Sequence, residues 1–126
     1  MPARVPALAR LVNCLHPHTK GWLAEKLAFF YLLTHGYLPA RRPTTAHVQT
    51  DLLLCRGRIL LLVEVKYRPT ATAAALAISP TQRARLTREA RRLAALYPAY
   101  ALRADIIAVF PRWPFLSHLP SAIALD

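Results

Sequence analysis

Apolar residues recur along this chain in distinct rhythms, and each rhythm predicts an element. Over residues 20–35, KGWLAEKLAFFYLLTH, they are dense and compatible with helical spacing, and Gly36 stands where such a helix would close. The next stretch, YLPARRP, is broken by Pro39 and Pro43 and predicts a short extended piece. TDLLLC (50–55) and the run from Ile59 to Arg68 read as strands joined through the tight turn Arg56-Gly57-Arg58. PTATAAALAI (69–78) is a small-residue connection, either a loop or an extra helical turn. Ser79-Pro80-Thr81-Gln82 then fits a capping box with proline at the first helical position. Leu86, Ala90, Leu93 and Tyr97 follow at helical spacing until Pro98. ALRADIIAVF (101–110) predicts a further strand, and SAIALD (121–126) fits a last edge strand.

The order is helix, three strands, helix, strand and a closing strand. A hairpin followed by a crossover helix and another strand gives a mixed sheet with helices packed on it, so the class is α/β. With 126 residues, one domain is expected over residues 20–126, preceded by a loosely ordered arm at 1–19. Apolar runs such as Leu27–Leu33 and Ile59–Val63 fall far short of the roughly 20 residues that span a bilayer. Arg10 and two prolines interrupt any signal-peptide pattern, so a cytoplasmic protein without a membrane partner is expected.

Charge narrows the field of partners. Seventeen Lys and Arg against six Asp and Glu give a net charge of +11, which favours a polyanion, most simply nucleic acid. Arg83, Arg85, Arg88, Arg91 and Arg92 crowd the second helix, and Arg41, Arg42 and Arg68 lie in or near the strands. All eight are candidates for phosphate contacts. An anionic membrane surface is the weaker alternative, because Leu86, Leu93 and Tyr97 suit a core better than lipid. FPRWPF (110–115) reads by default as core packing, with a docking surface as the alternative. Two cysteines do not make a disulfide framework; Cys55 is expected as a buried thiol, and Cys14, His16 and His18 are too interrupted for a zinc site.

With so few acids in the chain, their positions carry information. Glu64 and Lys66 end the most apolar strand and, as i and i+2, share one face. Asp51 opens the preceding strand. A hairpin pairing Leu54 near Ile59 would bring it opposite residues around 62–64. Two carboxylates brought together repel unless a cation sits between them. Asp51, Glu64 and the carbonyl of Val65 offer the hard oxygen donors that Mg²⁺ (or Mn²⁺) takes. Lys66 would then orient or help deprotonate an attacking water, or stabilise charge on a phosphate. Glu25 lies on an otherwise apolar helix face, where a carboxylate needs a partner. An outer metal ligand and a polar edge shared with Lys26 are both open to it. The plain reading of Glu64 and Lys66 is a surface ion pair.

Asp51…Glu64-Val65-Lys66 resembles the PD-(D/E)XK nuclease signature of the restriction-endonuclease-like fold. More narrowly, the chain is similar to the YraN-type family of small endonuclease-like proteins. Gly21, Glu25 and Ala28, then Gly36-Tyr37, VQTDLL (48–53), LVEVKYR (62–68), the helix from Ser79 and RADII (103–107) follow that family's order. The chain departs from it at Val48-Gln49, where the family has Gly-Glu, and at Gln82, where a lysine is usual. Gln82 thus has two readings, as a helix cap and as a nucleic-acid-facing residue of the site. Arg103 and Asp105 read as a structural ion pair flanking the site. The resemblance implies a restriction-endonuclease-like mixed sheet flanked by helices, and a Mg²⁺-dependent DNA endonuclease with Asp51, Glu64, Lys66 and Glu25 at its centre. The alternative is a nucleic-acid-binding module that keeps the fold without the activity. DNA or RNA, branched or damaged, both remain open as substrate. A homodimer fits enzymes that cut both strands of a symmetric site.

Overall fold

The computed structural model describes residues 17–40, 52–72 and 74–123, with side chains from residue 21 onward in the first helix. Among them are two helices and a five-stranded sheet. Helix α1 spans Pro17–Thr34, followed by strands β1 (Leu38–Pro39), β2 (Leu52–Arg56) and β3 (Ile59–Tyr67). Helix α2 (Pro80–Leu96) leads into β4 (Ala101–Val109) and β5 (Leu116–Ile123). The sheet order is β1-β2-β3-β4-β5, antiparallel throughout except for the parallel β3–β4 pair that α2 crosses over. This is the α/β mixed sheet the apolar pattern predicts, consistent with a restriction-endonuclease-like fold.

Local chemistry sets the element ends. Helix α1 begins at Pro17, three residues before the expected start at Lys20, and closes in a Schellman motif. There the amide of Gly36 donates to Leu33 O at 3.1 Å and that of Tyr37 donates to Leu32 O at 3.1 Å. Gly36 has φ +86°, which a side chain would strain. Helix α2 carries the full capping box: Ser79 Oγ accepts from the Gln82 amide and Gln82 Oε1 accepts from the Ser79 amide, both at 3.1 Å. The β2–β3 turn is tighter than the expected register implied. Gly57, at φ +59°, lets a two-residue loop close, so Arg56 rather than Leu54 stands nearest Ile59, and Leu54 faces Leu61. The last strand also begins earlier than SAIALD suggested, at Leu116.

Alternation along β3 divides the core in two. Leu61, Val63, Val65 and Tyr67 face α1 with Ala24, Ala28 and Leu32. Leu60 and Leu62 face α2 with Leu86, Ala90 and Leu93. The 69–78 connection resolves into a short turn at residues 74–76, where Ala75 is buried beside Ala108 and Phe110. Cys55 is a free, half-buried thiol rather than a fully buried one. No helix among the described residues is long and apolar enough to cross a membrane.

Candidate active site at the end of the sheet

Glu64 and Lys66 continue the even-numbered row of β3, so they stand on the α2 face near that strand's C-terminal end. Both are buried, at 7% exposure each, which is unusual for charged side chains. They do not pair with each other as a surface ion pair would. Arg85, in the second turn of α2, donates through Nη2 to Glu64 Oε1 at 2.8 Å. Lys66 Nζ donates to the Ala77 carbonyl at 2.7 Å and to Gln82 Oε1 at 3.1 Å. The oxygen of Gln82 therefore closes the capping box, as the first reading expects, and also holds the lysine. Burial lowers the Lys66 pKa, the charges of Arg68 and Arg85 push the same way, and Glu64 opposes them.

Asp51, Arg41, Arg42 and Gln49 lie outside the described residues, as do Cys14 and His16. The nearest described neighbour of Asp51 is Leu52, which faces Val63, the neighbour of Glu64. Leu53 belongs to the α2-face cluster, on the same side as Glu64 and Lys66. Glu25 is half-buried on α1, which packs on the opposite face of the sheet. Its position along the helix still matters. Tyr37, past the helix end, meets Arg103, whereas Tyr31 meets His118 at the level of Asp105. Moving back along α1 therefore approaches the C-terminal ends of β3 and β4. Glu25 is a further six residues back, about 9 Å along the axis. It is therefore at the Glu64 end of the sheet, on the other face.

The arginines separate into groups. Arg83, Arg88 and Arg91 are exposed and line an open groove with Ile78, Pro80, Ala84 and Thr87. Arg85 is engaged with Glu64, and Arg92 with the buried Glu89 at 2.9 Å. Arg68 is half-buried, with Nη1 donating to its neighbouring carbonyl Tyr67 O at 3.1 Å. Among the described residues no group of three or more His, Cys, Asp or Glu side chains converges. Glu64 offers the hard oxygen donors that a divalent cation takes, and Arg85 already balances its charge.

A second polar network was only partly legible. Arg103 and Asp105 form the expected ion pair, with Nε and Nη2 each 2.9 Å from a carboxylate oxygen. It belongs to the α1 face rather than flanking Glu64. His118 Nε2 lies 2.7 Å from Asp105 Oδ2 and Nδ1 lies 3.1 Å from the Tyr31 hydroxyl. The Ser121 amide reaches Asp105 Oδ1 at 2.9 Å through an irregularity in the β4–β5 pairing. Burial alone would raise the Asp105 pKa, but bonds from His118, Arg103 and Ser121 outweigh it and hold the carboxyl below its ordinary value. His118 gave no sequence signal beyond being a lone histidine in the last strand.

A mixed sheet crossed by α2, with an acid and a lysine two residues apart at the end of its central strand, makes this a small α/β protein consistent with the restriction-endonuclease-like class. Within that class the chain belongs to the uncharacterised protein family UPF0102, the YraN family, whose model matches residues 24–109. A UPF0102 protein of Methylorubrum extorquens (strain PA1) is 46% identical over 114 residues, covering 86% of this chain and 88% of its own. One from Parvibaculum lavamentivorans is 42% identical over 130 residues, covering 96% of each chain. Another, from Caulobacter vibrioides (strain NA1000 / CB15N), is 42% identical over 106 residues, covering 81% of this chain and 84% of its own.

Proposed function

We propose that the chain is a cytoplasmic, Mg²⁺-dependent DNA endonuclease that hydrolyses phosphodiester bonds at the Glu64–Lys66 end of β3. The observation that carries this reading is a buried carboxylate and a buried lysine on one strand face, each held by α2 or the segment before it rather than by the other. Burying two charges is costly, and apolar residues would serve a plain structural role without that cost. Asp51, Glu64 and the Val65 carbonyl would hold the metal, with Glu25 as an outer ligand approaching from α1. Mg²⁺ (or Mn²⁺) there supplies Lewis-acid polarisation of the phosphoryl group.

The chain's own residues do the rest. Lys66, fixed by two acceptors, would orient the attacking water or take its proton. The water oxygen bonds to phosphorus as the bond to the leaving oxygen breaks, and solvent protonates that oxygen. Arg83, Arg88 and Arg91, over about 12 Å of helix, would hold backbone phosphates. Arg41, Arg42 and Arg68 would add to them.

One observation favours a second reading. Arg85 sits 2.8 Å from Glu64 and neutralises it without any metal, as a nucleic-acid-binding module that keeps the fold would require. Plasmid, single-stranded and branched DNA, and RNA, offered with Mg²⁺ or Mn²⁺, separate the two. The nuclease cleaves, and Glu64→Gln or Lys66→Met slows it by about 10²–10⁴-fold. Binding without cleavage, unaffected by metal, selects the module.

A further inference from the structure

The six residues FPRWPF do not form one core cluster. Phe110 is 3% exposed and packs on Ala75, Leu76 and Ala108, but Trp113 is 84% exposed and Phe115 44%. The turn that presents these rings is closed by three backbone bonds: Phe110 N to Phe115 O (2.8 Å), Phe115 N to Arg112 O (2.7 Å) and Leu116 N to Pro114 O (2.8 Å). Phe115 has φ +67°, a conformation that bulky side chains avoid and that tends to persist at ligand clamps. Its ring stands edge-on to Trp113, with centroids 6.2 Å apart and planes at 90°.

The placement of this turn is set by topology. Strands β3 and β4 are parallel, with Lys66 opposite Ala108 and Tyr67 opposite Val109. Whatever follows Val109 therefore emerges at the same end of the sheet as Glu64 and Lys66. The two regions are joined through one short segment, since Phe110 packs on Ala75 and Leu76 while Lys66 holds the carbonyl of Ala77. The Arg68 amide donates to Val109 O at 3.0 Å, so Arg68 leaves β3 at the base of the turn. Arg112 is exposed beside Trp113, and residues 110–120 contain no acid.

We propose that Trp113, supported by Phe115, is a stacking platform for an unpaired nucleobase, and that the nucleic acid engaged at this end of the sheet is single-stranded or carries a single-stranded end. A duplex keeps its base faces against one another, so only an unpaired base offers one to an exposed ring. Arg112 and Arg68 supply the charge that its phosphates need, and on a chain of net charge +11 this suits nucleic acid better than a second copy of the chain. The proposal rests on the nucleic-acid reading above and specifies its substrate.

The test is binding without cleavage, by fluorescence anisotropy in chelator, using labelled oligothymidylate and a blunt duplex of equal length. Trp113→Ala weakens single-strand binding roughly 5- to 150-fold. Trp113→Phe keeps most of it, duplex binding is unchanged, and the salt slope stays the same because every ionic interaction with the phosphates is kept. In a Trp22→Phe background, oligothymidylate quenches the remaining Trp113 emission. Equal single-strand affinity of Trp113→Ala and wild type overturns the platform alone. So does a loss confined to self-association by sedimentation, or to binding of anionic vesicles. A wild-type chain that binds neither oligonucleotide overturns the nucleic-acid reading itself.

Discussion

Gln82 bears two loads with one oxygen, which accepts from the Ser79 amide and from Lys66 Nζ. Gln82→Ala is expected to lower stability by about 1 kcal/mol through the cap. It also leaves Lys66 with only the Ala77 carbonyl, so Ser79→Ala is the control that weakens the cap and spares the lysine's bond to Gln82. Urea unfolding together with the amine's chemical shift separates the two effects. Asp105 provides the pH dependence. Its folded-state pKa lies below the ordinary 3.8, so its contribution to stability is present above that value and is lost as pH falls through the lower, folded-state one. Asp105→Asn is expected to cost about 3–5 kcal/mol at neutral pH, because Arg103 loses its buried partner. Its unfolding free energy should then lack this residue's share of the acid loss.

At the scale of elements, stops and starts are set by single residues. Gly36→Ala places a side chain at φ +86° and is expected to cost about 1–2 kcal/mol, read as a lowered urea midpoint at constant slope. Such positions were legible in the sequence because glycine, proline and capping residues act locally. The helix from Ser79, the Gly57 turn, the β3 and β4 runs and the Arg103–Asp105 pair followed from neighbours a few residues apart. What failed was non-local or a matter of count. The hairpin register slipped by two because a turn's length cannot be read from the strands it joins. The partners of Glu64 and Lys66 lie 21 and 16 residues away, and only packing of α2 on the sheet brings Arg85 and Gln82 to them. His118 joined Asp105 across a strand pairing the sequence does not announce. Phe110 and Trp113 share a motif but have opposite fates, decided by where the turn points.

For the molecule as a whole, the charge is unevenly committed. Arg85, Arg92 and Arg103 are taken up by internal acids, whereas Arg83, Arg88 and Arg91 line an open groove on α2. Replacing those three by alanine is expected to reduce the slope of log affinity against log salt by roughly 2–3, since each phosphate that is no longer neutralised removes about 0.7–0.9. Anisotropy over a salt series reads this directly, and an unchanged slope would move the phosphate path elsewhere. Beneath these stands the claim that the buried end of β3 is a metal-dependent hydrolytic centre. Mn²⁺ titration by calorimetry and electron paramagnetic resonance tests it without relying on the right substrate. Specific Mn²⁺ binding is expected, and its loss in Asp51→Asn and in Glu64→Gln while both variants stay folded. Absence of binding at millimolar metal, or binding indifferent to both substitutions, would contradict it.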